Sequence, residues 1–153
     1  MVPVTVSVES PRQTDVVALI EALDRWNCDR YPPEANHLLS LDELDRPDIR
    51  FLVARQDGRA VGIGALRVLA GGYGEVKRMY TSPAVRGQGV GFRLLMEVER
   101  LALMERLELL RLETGDVSDE ALKLYRRAGF AVRGPFGDYP DHPASVFMEK
   151  RLA

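Results

Sequence analysis

The segment Arg86-Gly87-Gln88-Gly89-Val90-Gly91 most limits what this chain can fold into, because of what lies on either side of it. Upstream, Glu75-Val76-Lys77-Arg78-Met79-Tyr80-Thr81 alternates as a strand does and stops at Ser82-Pro83; downstream, Leu94, Leu95, Val98, Leu101 and Ala102 recur on one helical face. The glycines therefore open a helix directly after a strand. In a first helical turn the N–H groups lack intrahelical partners and the dipole is positive. Glycine leaves those groups uncovered and Arg86 adds a fixed positive charge, a combination suited to gripping a phosphate. Two nucleotide motifs fail here. Counted from Gly87, the third glycine of G-x-G-x-x-G falls on Phe92, and counted from Gly62 it falls on Arg67. No Gly-Lys-Ser/Thr follows, which excludes a P-loop. A tight turn without a ligand is the alternative at this level.

The rest of the chain alternates elements in a definite order. Val2 to Val8 reads as a strand, with Val4, Val6 and Val8 on one face, and Ser10-Pro11 ends it. Val16 to Trp26 carry a broad apolar helical face that stops near Asp29, since Tyr31-Pro32-Pro33 cannot continue a helix. Leu38 to Leu44 reads as a short helix with Ser40 as N-cap and Glu43 as its reciprocal partner. Phe51 to Ala54, Arg59 to Leu69 and Tyr73 to Thr81 form a meander, turned by Asp57-Gly58 and Gly71-Gly72. A long helix from about Gly89 to Arg106 leads to a strand at Leu107 to Thr114. Ser118 then begins a helix as its N-cap, Gly129 ends it, and Phe130 to Arg133 and Ser145 to Leu152 read as closing strands. No repeat or linker interrupts residues 1–153, so one domain is expected.

Composition removes several function classes. A formal net charge of −2 supplies no basic excess for a nucleic-acid backbone. No apolar run approaches a membrane span, and the N-terminus lacks a basic segment followed by an apolar core. The lone Cys28 allows no internal disulfide and suits a reducing cytoplasm. His37 and His142 are too far apart for metal-ligand spacing, so no metal is expected.

Arg86-x-x-Gly89-x-Gly91 resembles the R/Q-x-x-G-x-G/A signature of the GNAT superfamily of N-acetyltransferases, which hold the pyrophosphate of acetyl-coenzyme A there. Glu75 to Pro83 is similar to the strand that precedes this loop in those enzymes, and Ala121-x-x-Leu124-Tyr125-x-x-x-Gly129-Phe130 to a second segment of theirs. The resemblance covers residues 50 to 152 well. It implies the GNAT acyl-CoA N-acyltransferase fold: an α/β mixed sheet, mostly antiparallel, with about four helices and one parallel, splayed strand pair. The pantetheine arm inserts where that pair parts.

The implied activity is acetyl-CoA-dependent acetylation of a primary amine on a small molecule or peptide, by direct transfer in the cytoplasm. The alternative is a non-catalytic acyl-CoA-binding regulatory module. By the same resemblance Arg86, Gly87, Gln88, Gly89, Val90 and Gly91 bind the cofactor, and Met79, Tyr80 and Thr81 pair with it through their backbone. A backbone N–H near Met79 serves the oxyanion, and Tyr125 protonates the leaving sulfur and touches the cofactor. On helix position alone Tyr125 could equally be a packing residue. Glu75 is the candidate base, with an exposed carboxylate paired to Lys77 or to an arginine as its bland reading and Glu113 in reserve. Many family members carry Asn where this chain has Ser118, whose shorter hydroxyl reaches the pantetheine or simply caps the helix.

Acceptor selection is expected from the region Tyr31-Pro32-Pro33 to His37 and from Gly134 to His142. There Phe136 and Tyr139 would form a wall and Asp138 and Asp141 would attract a cationic amine, or the segment is a rigid edge loop whose acids are simply solvated. The last strand is a candidate exposed edge through which a homodimer could form.

Overall fold

The computed structural model describes residues 3–36 and 39–152. Val2 of the expected first strand, His37 of the expected acceptor region and Leu38 of the expected second helix lie outside the described residues. Seven strands form one sheet: β1 (Val4–Val8), β2 (Ile49–Gln56), β3 (Arg59–Leu69), β4 (Tyr73–Thr81), β5 (Leu109–Gly115), β6 (Ala131–Arg133) and β7 (Ser145–Arg151). Their spatial order is β1-β2-β3-β4-β5-β7-β6, with β4 and β5 parallel and every other neighbouring pair antiparallel. The mixed sheet with a single parallel pair is therefore present as expected. The last strand is not an edge, however. β7 lies between β5 and β6, because β6 returns antiparallel along its outer side, so β1 and the short β6 form the outer edges.

Strand alternation divides the core between the two faces of the sheet. Leu52, Ala54 and Leu66 face one way, onto Val90, Leu94, Leu95, Val98 and Ala102 of α3 (Val90–Met104) and Leu122 and Tyr125 of α4 (Asp119–Arg127). Their neighbours Phe51, Val53, Ile63 and Ala65 face the other way, onto Val16 and Ile20 of α1 (Thr14–Arg30) and Leu44 of α2 (Leu41–Leu44). Leu52, Ile63, Leu66, Leu94 and Leu95 are fully buried, each contributing about 1.5–3 kcal/mol of transfer free energy.

Turn and cap chemistry account for the joints. Asp57 and Gly58 are both left-handed (φ 52° and 77°), as are Gly71 and Gly72 (φ 93° and 82°), the geometry that tight hairpins require. Ser40 and Glu43 form the expected capping box at α2.

Two departures from regularity make room beside β4. Parallel pairing with β5 runs only through Tyr73–Leu109, Gly74–Leu110 and Glu75–Arg111, after which the two strands part. On its other side, the register with β3 shifts between Ile63–Tyr80 and Ala65–Lys77, leaving Arg78 and Met79 together opposite Gly64. That is a bulge, and Arg78 in it is left-handed at φ 59°.

Candidate active site

Where β4 and β5 part, a cleft of about 820 Å³ opens between α1, α3 and α4. Met79, Tyr80, Thr81, Arg86, Gly87, Gly89, Val90, Gly91, Ser118 and Tyr125 all line it, which brings together nearly every cofactor-binding residue expected from the sequence. Gln88 is exposed and stands outside the cleft wall.

The loop glycines serve two separate needs. Gly87 and Gly89 are left-handed, at φ 82° and 80°, with open space where a Cβ would point. A side chain there would strain the backbone and cover the N–H groups. Gly91 is a matter of packing: a Cβ would lie 3.3 Å from Leu124 Cδ2, so α3 starts close against α4. Gly89 is the N-cap of α3 and offers no side-chain cap. The first-turn N–H groups of α3 thus face the cleft beside the Arg86 charge. Arg86 Nη2 donates to the Thr81 carbonyl at 3.2 Å, with its guanidinium over the Tyr80 ring, so the cation is tethered to the end of β4. Lys123 and Arg127, one turn apart on α4, add two cations to this end of the wall. Sequence reasoning missed them, although their i,i+4 spacing beside the Tyr125 motif was visible.

Tyr125 and Glu113 define the other end. Tyr125 is buried, its ring edge-on to Phe130 with centroids 5.8 Å apart. Burial pushes its phenol above the ordinary range and the charge of Glu113 adds to the shift. Glu113, on β5, also lines the cleft. Burial raises its carboxyl, with Ser145 and Lys77 pulling it back in part and Glu75 raising it further. Among the described residues Glu113 has no ion-pair partner within 4.0 Å.

Glu75, the carboxylate favoured from sequence, is placed differently. It is buried and off the cleft wall, with Oε2 3.1 Å from Lys77 Nζ and bonded to the Tyr139 hydroxyl. Lys77 Nζ donates to the same hydroxyl at 2.6 Å. The pairing with Lys77 was anticipated, but its burial was not.

The segment Gly134 to His142 contributes nothing to the cleft wall. Phe136, expected to form a wall there, is buried among Tyr73, Tyr139 and Phe147, and Asp138 and Asp141 are exposed. Apolar area drives the aromatics inward, and Tyr139 follows them to reach Glu75 and Lys77.

Ser118 is the N-cap residue of α4, but its side chain makes no cap bond. Its hydroxyl lies 2.8 Å from the Tyr31 hydroxyl, which also accepts from the Val117 N–H at 3.3 Å. The Tyr31 ring occupies the space beside Gly115, where a Cβ would fall 1.8 Å from it. Tyr31 therefore carries the end of α1 across to the start of α4. It lines the cleft together with Leu23, Trp26 and Asn27 of α1. Among the described residues no three His, Cys, Asp or Glu side chains gather as a metal-ligand set.

The pattern of the Acetyltransferase (GNAT) family matches residues 18–130. The chain belongs to that family. It is 54% identical to an IAA acetyltransferase of Azospirillum brasilense, over 97% of this chain and 98% of the relative. A protein from Klebsiella pneumoniae described as an acyl-CoA N-acyltransferase has the same fold, with TM-score 0.83 and 36% identity over 98% of both chains. The PaiA N-acetyltransferase of Thermoplasma acidophilum, solved in complex with coenzyme A, matches with TM-score 0.72 at 22% identity, over 97% of this chain and 99% of that one. This GNAT chain is thus an acetyl-CoA-dependent N-acetyltransferase, with acetyl-CoA as its donor.

Proposed function

We propose that the chain, acting as a single domain over 1–153, moves the acetyl group in one direct step to a primary amine, with Glu113 as base and Tyr125 as acid. The observation that carries this reading is that the two groups line the same cleft, Tyr125 buried on α4 and Glu113 half-buried on β5. Glu113 takes a proton from the acceptor ammonium and the free amine attacks the thioester carbonyl. The C–S bond then breaks as the N–C bond completes; the Tyr125 phenol donates to the departing sulfur and is restored by the second proton lost from the acetylated nitrogen, while Glu113 releases the first to solvent.

A raised phenol stays protonated throughout the working pH range, as a donor must. The backbone N–H at Met79 stabilises the oxyanion, and the α3 N-terminus with Arg86 holds the pyrophosphate. Glu75 serves as counter-ion to Lys77. With Lys77 and Arg78 each facing a carboxylate, Glu113 joins Asp119 and Glu120 on the cleft lining as negative charge that draws a cationic acceptor. The lone Cys28 and the absence of a basic excess support a cytoplasmic enzyme that works on small amines or peptides.

The test is an amine panel following release of free CoA from acetyl-CoA, run with Tyr125→Phe and Glu113→Gln. Each substitution should lower kcat by about 10²-fold or more and leave CoA affinity nearly unchanged. Wild-type turnover in either variant would remove that residue from the chemistry.

A further inference from the structure

We propose that Asp24 of α1 is a positioning residue for acetyl transfer, acting through Arg78 to hold the left-handed bulge of β4. The inference rests on the reading that the Met79 N–H serves the oxyanion. Arg78 is one of three left-handed non-glycine residues among those described; the other two, Asp57 and Arg106, lie in a hairpin turn and just past a helix end. Arg78 instead sits inside a strand. It lies three positions beyond the last parallel pair with β5, on the wall of the cleft. A side chain held at φ 59° costs on the order of 1–3 kcal/mol and persists only where its surroundings over-determine it.

Two features do so. Gly64, opposite the bulge, has no Cβ; one would lie 2.5 Å from Met79 Sδ and would push the Met79 side chain out of the place it holds over the bulge. On the other side, the Arg78 side chain is 2% exposed, with Nη1 2.7 Å from Asp24 Oδ1. None of its guanidinium nitrogens has an aligned hydrogen-bond partner among the described residues. The Asp24 charge is therefore the one opposite charge within ion-pair distance, among the described residues, that keeps this guanidinium buried. Without it the side chain escapes to water past the half-exposed Asp24 position, φ relaxes to the extended region, and the Met79 N–H turns.

The experiment compares Asp24→Asn, Asp24→Glu, Arg78→Ala and Arg78→Gly in steady-state kinetics, thermal unfolding and the amide NMR resonance of Met79. Asp24→Asn should lower kcat about tenfold, since sub-ångström misplacement of a catalytic donor costs that order. KM for acetyl-CoA should stay within about twofold, because the remote contacts that bind the cofactor persist. Asp24→Glu should restore most of kcat. Glycine adopts positive φ freely and alanine does not, so Arg78→Gly should retain more kcat than Arg78→Ala, and Asp24→Asn should add nothing to Arg78→Gly. A Met79 resonance and kcat both unchanged in Asp24→Asn overturn the proposal. A resonance that moves while kcat holds also overturns it, but locates the error in the role given to Met79 rather than in the grip of α1 on the bulge.

Discussion

Glu75 and Glu113 sit on neighbouring strands, and their partners separate their roles. Glu75 neutralises Lys77 in a buried pair completed by Tyr139, so Glu75→Gln leaves a buried ammonium without its counter-ion. That change should cost about 3–5 kcal/mol, read in denaturant unfolding. Glu113 lines the cleft with Tyr125, and its carboxyl is raised chiefly by burial. Between the ordinary carboxylate range and that raised value, the folded chain holds a proton that the unfolded chain has released. Stability should therefore fall as pH rises through this window, and Glu113→Gln should flatten the slope in pH-dependent unfolding. In the same window kcat/KM should climb with pH in the wild type as the base ionises, and the variant should lose that limb.

Nothing near Glu75 in sequence announces Tyr139, which reaches it from 64 positions away, so the strand by itself does not reveal that this carboxylate is already taken. Arg78 is equally hidden, because no residue preference marks an arginine for positive φ.

At the level of elements, local chemistry was the legible part. Asp57-Gly58, Gly71-Gly72 and the Ser40–Glu43 box carry their geometry in adjacent residues and appear where the sequence puts them. Ser118 shows the limit of that logic. It stands at the expected cap position, yet Tyr31 takes its hydroxyl, and a contact between residues 87 positions apart has no local signature. The segment Gly134 to His142 misled for a related reason: aromatics beside acids look like a binding wall, but burial of Phe136 decides the matter. Tyr139 anchors this segment to β4, so Tyr139→Phe should remove a buried hydrogen bond at a cost of about 1–3 kcal/mol. The corresponding fall in Tm is about 2–4 °C per kcal/mol for a chain of this size, measured by calorimetry. An unchanged Tm would mean that the hydroxyl does not fasten the segment.

For the whole molecule, the decisive joint is the short parallel pairing that links the half of the sheet containing β1 to β4 with the half containing β5 to β7. Gly74 sits in it, with Leu66 Cδ1, Leu107 Cδ1 and Leu110 Cδ2 at 2.6, 2.9 and 3.2 Å from where a Cβ would be. Gly74→Ala should overpack this joint, costing about 1–3 kcal/mol, and should weaken CoA binding as the angle between the halves changes; calorimetric titration reads the second effect. The order of elements was readable from hydrophobic period and turn residues. The inward place of β7 was not, since which of two closing strands lies outermost depends on how the chain returns.

Beyond Glu75 and Arg111 the parting strands leave unpaired main-chain rims in the middle of a sheet, where other sheets carry such rims only at their outer borders. A rim of this kind templates the addition of any extended chain. An extended segment laid between the two rims would meet main-chain donors and acceptors on both of its sides, as a central strand does and an added edge strand does not.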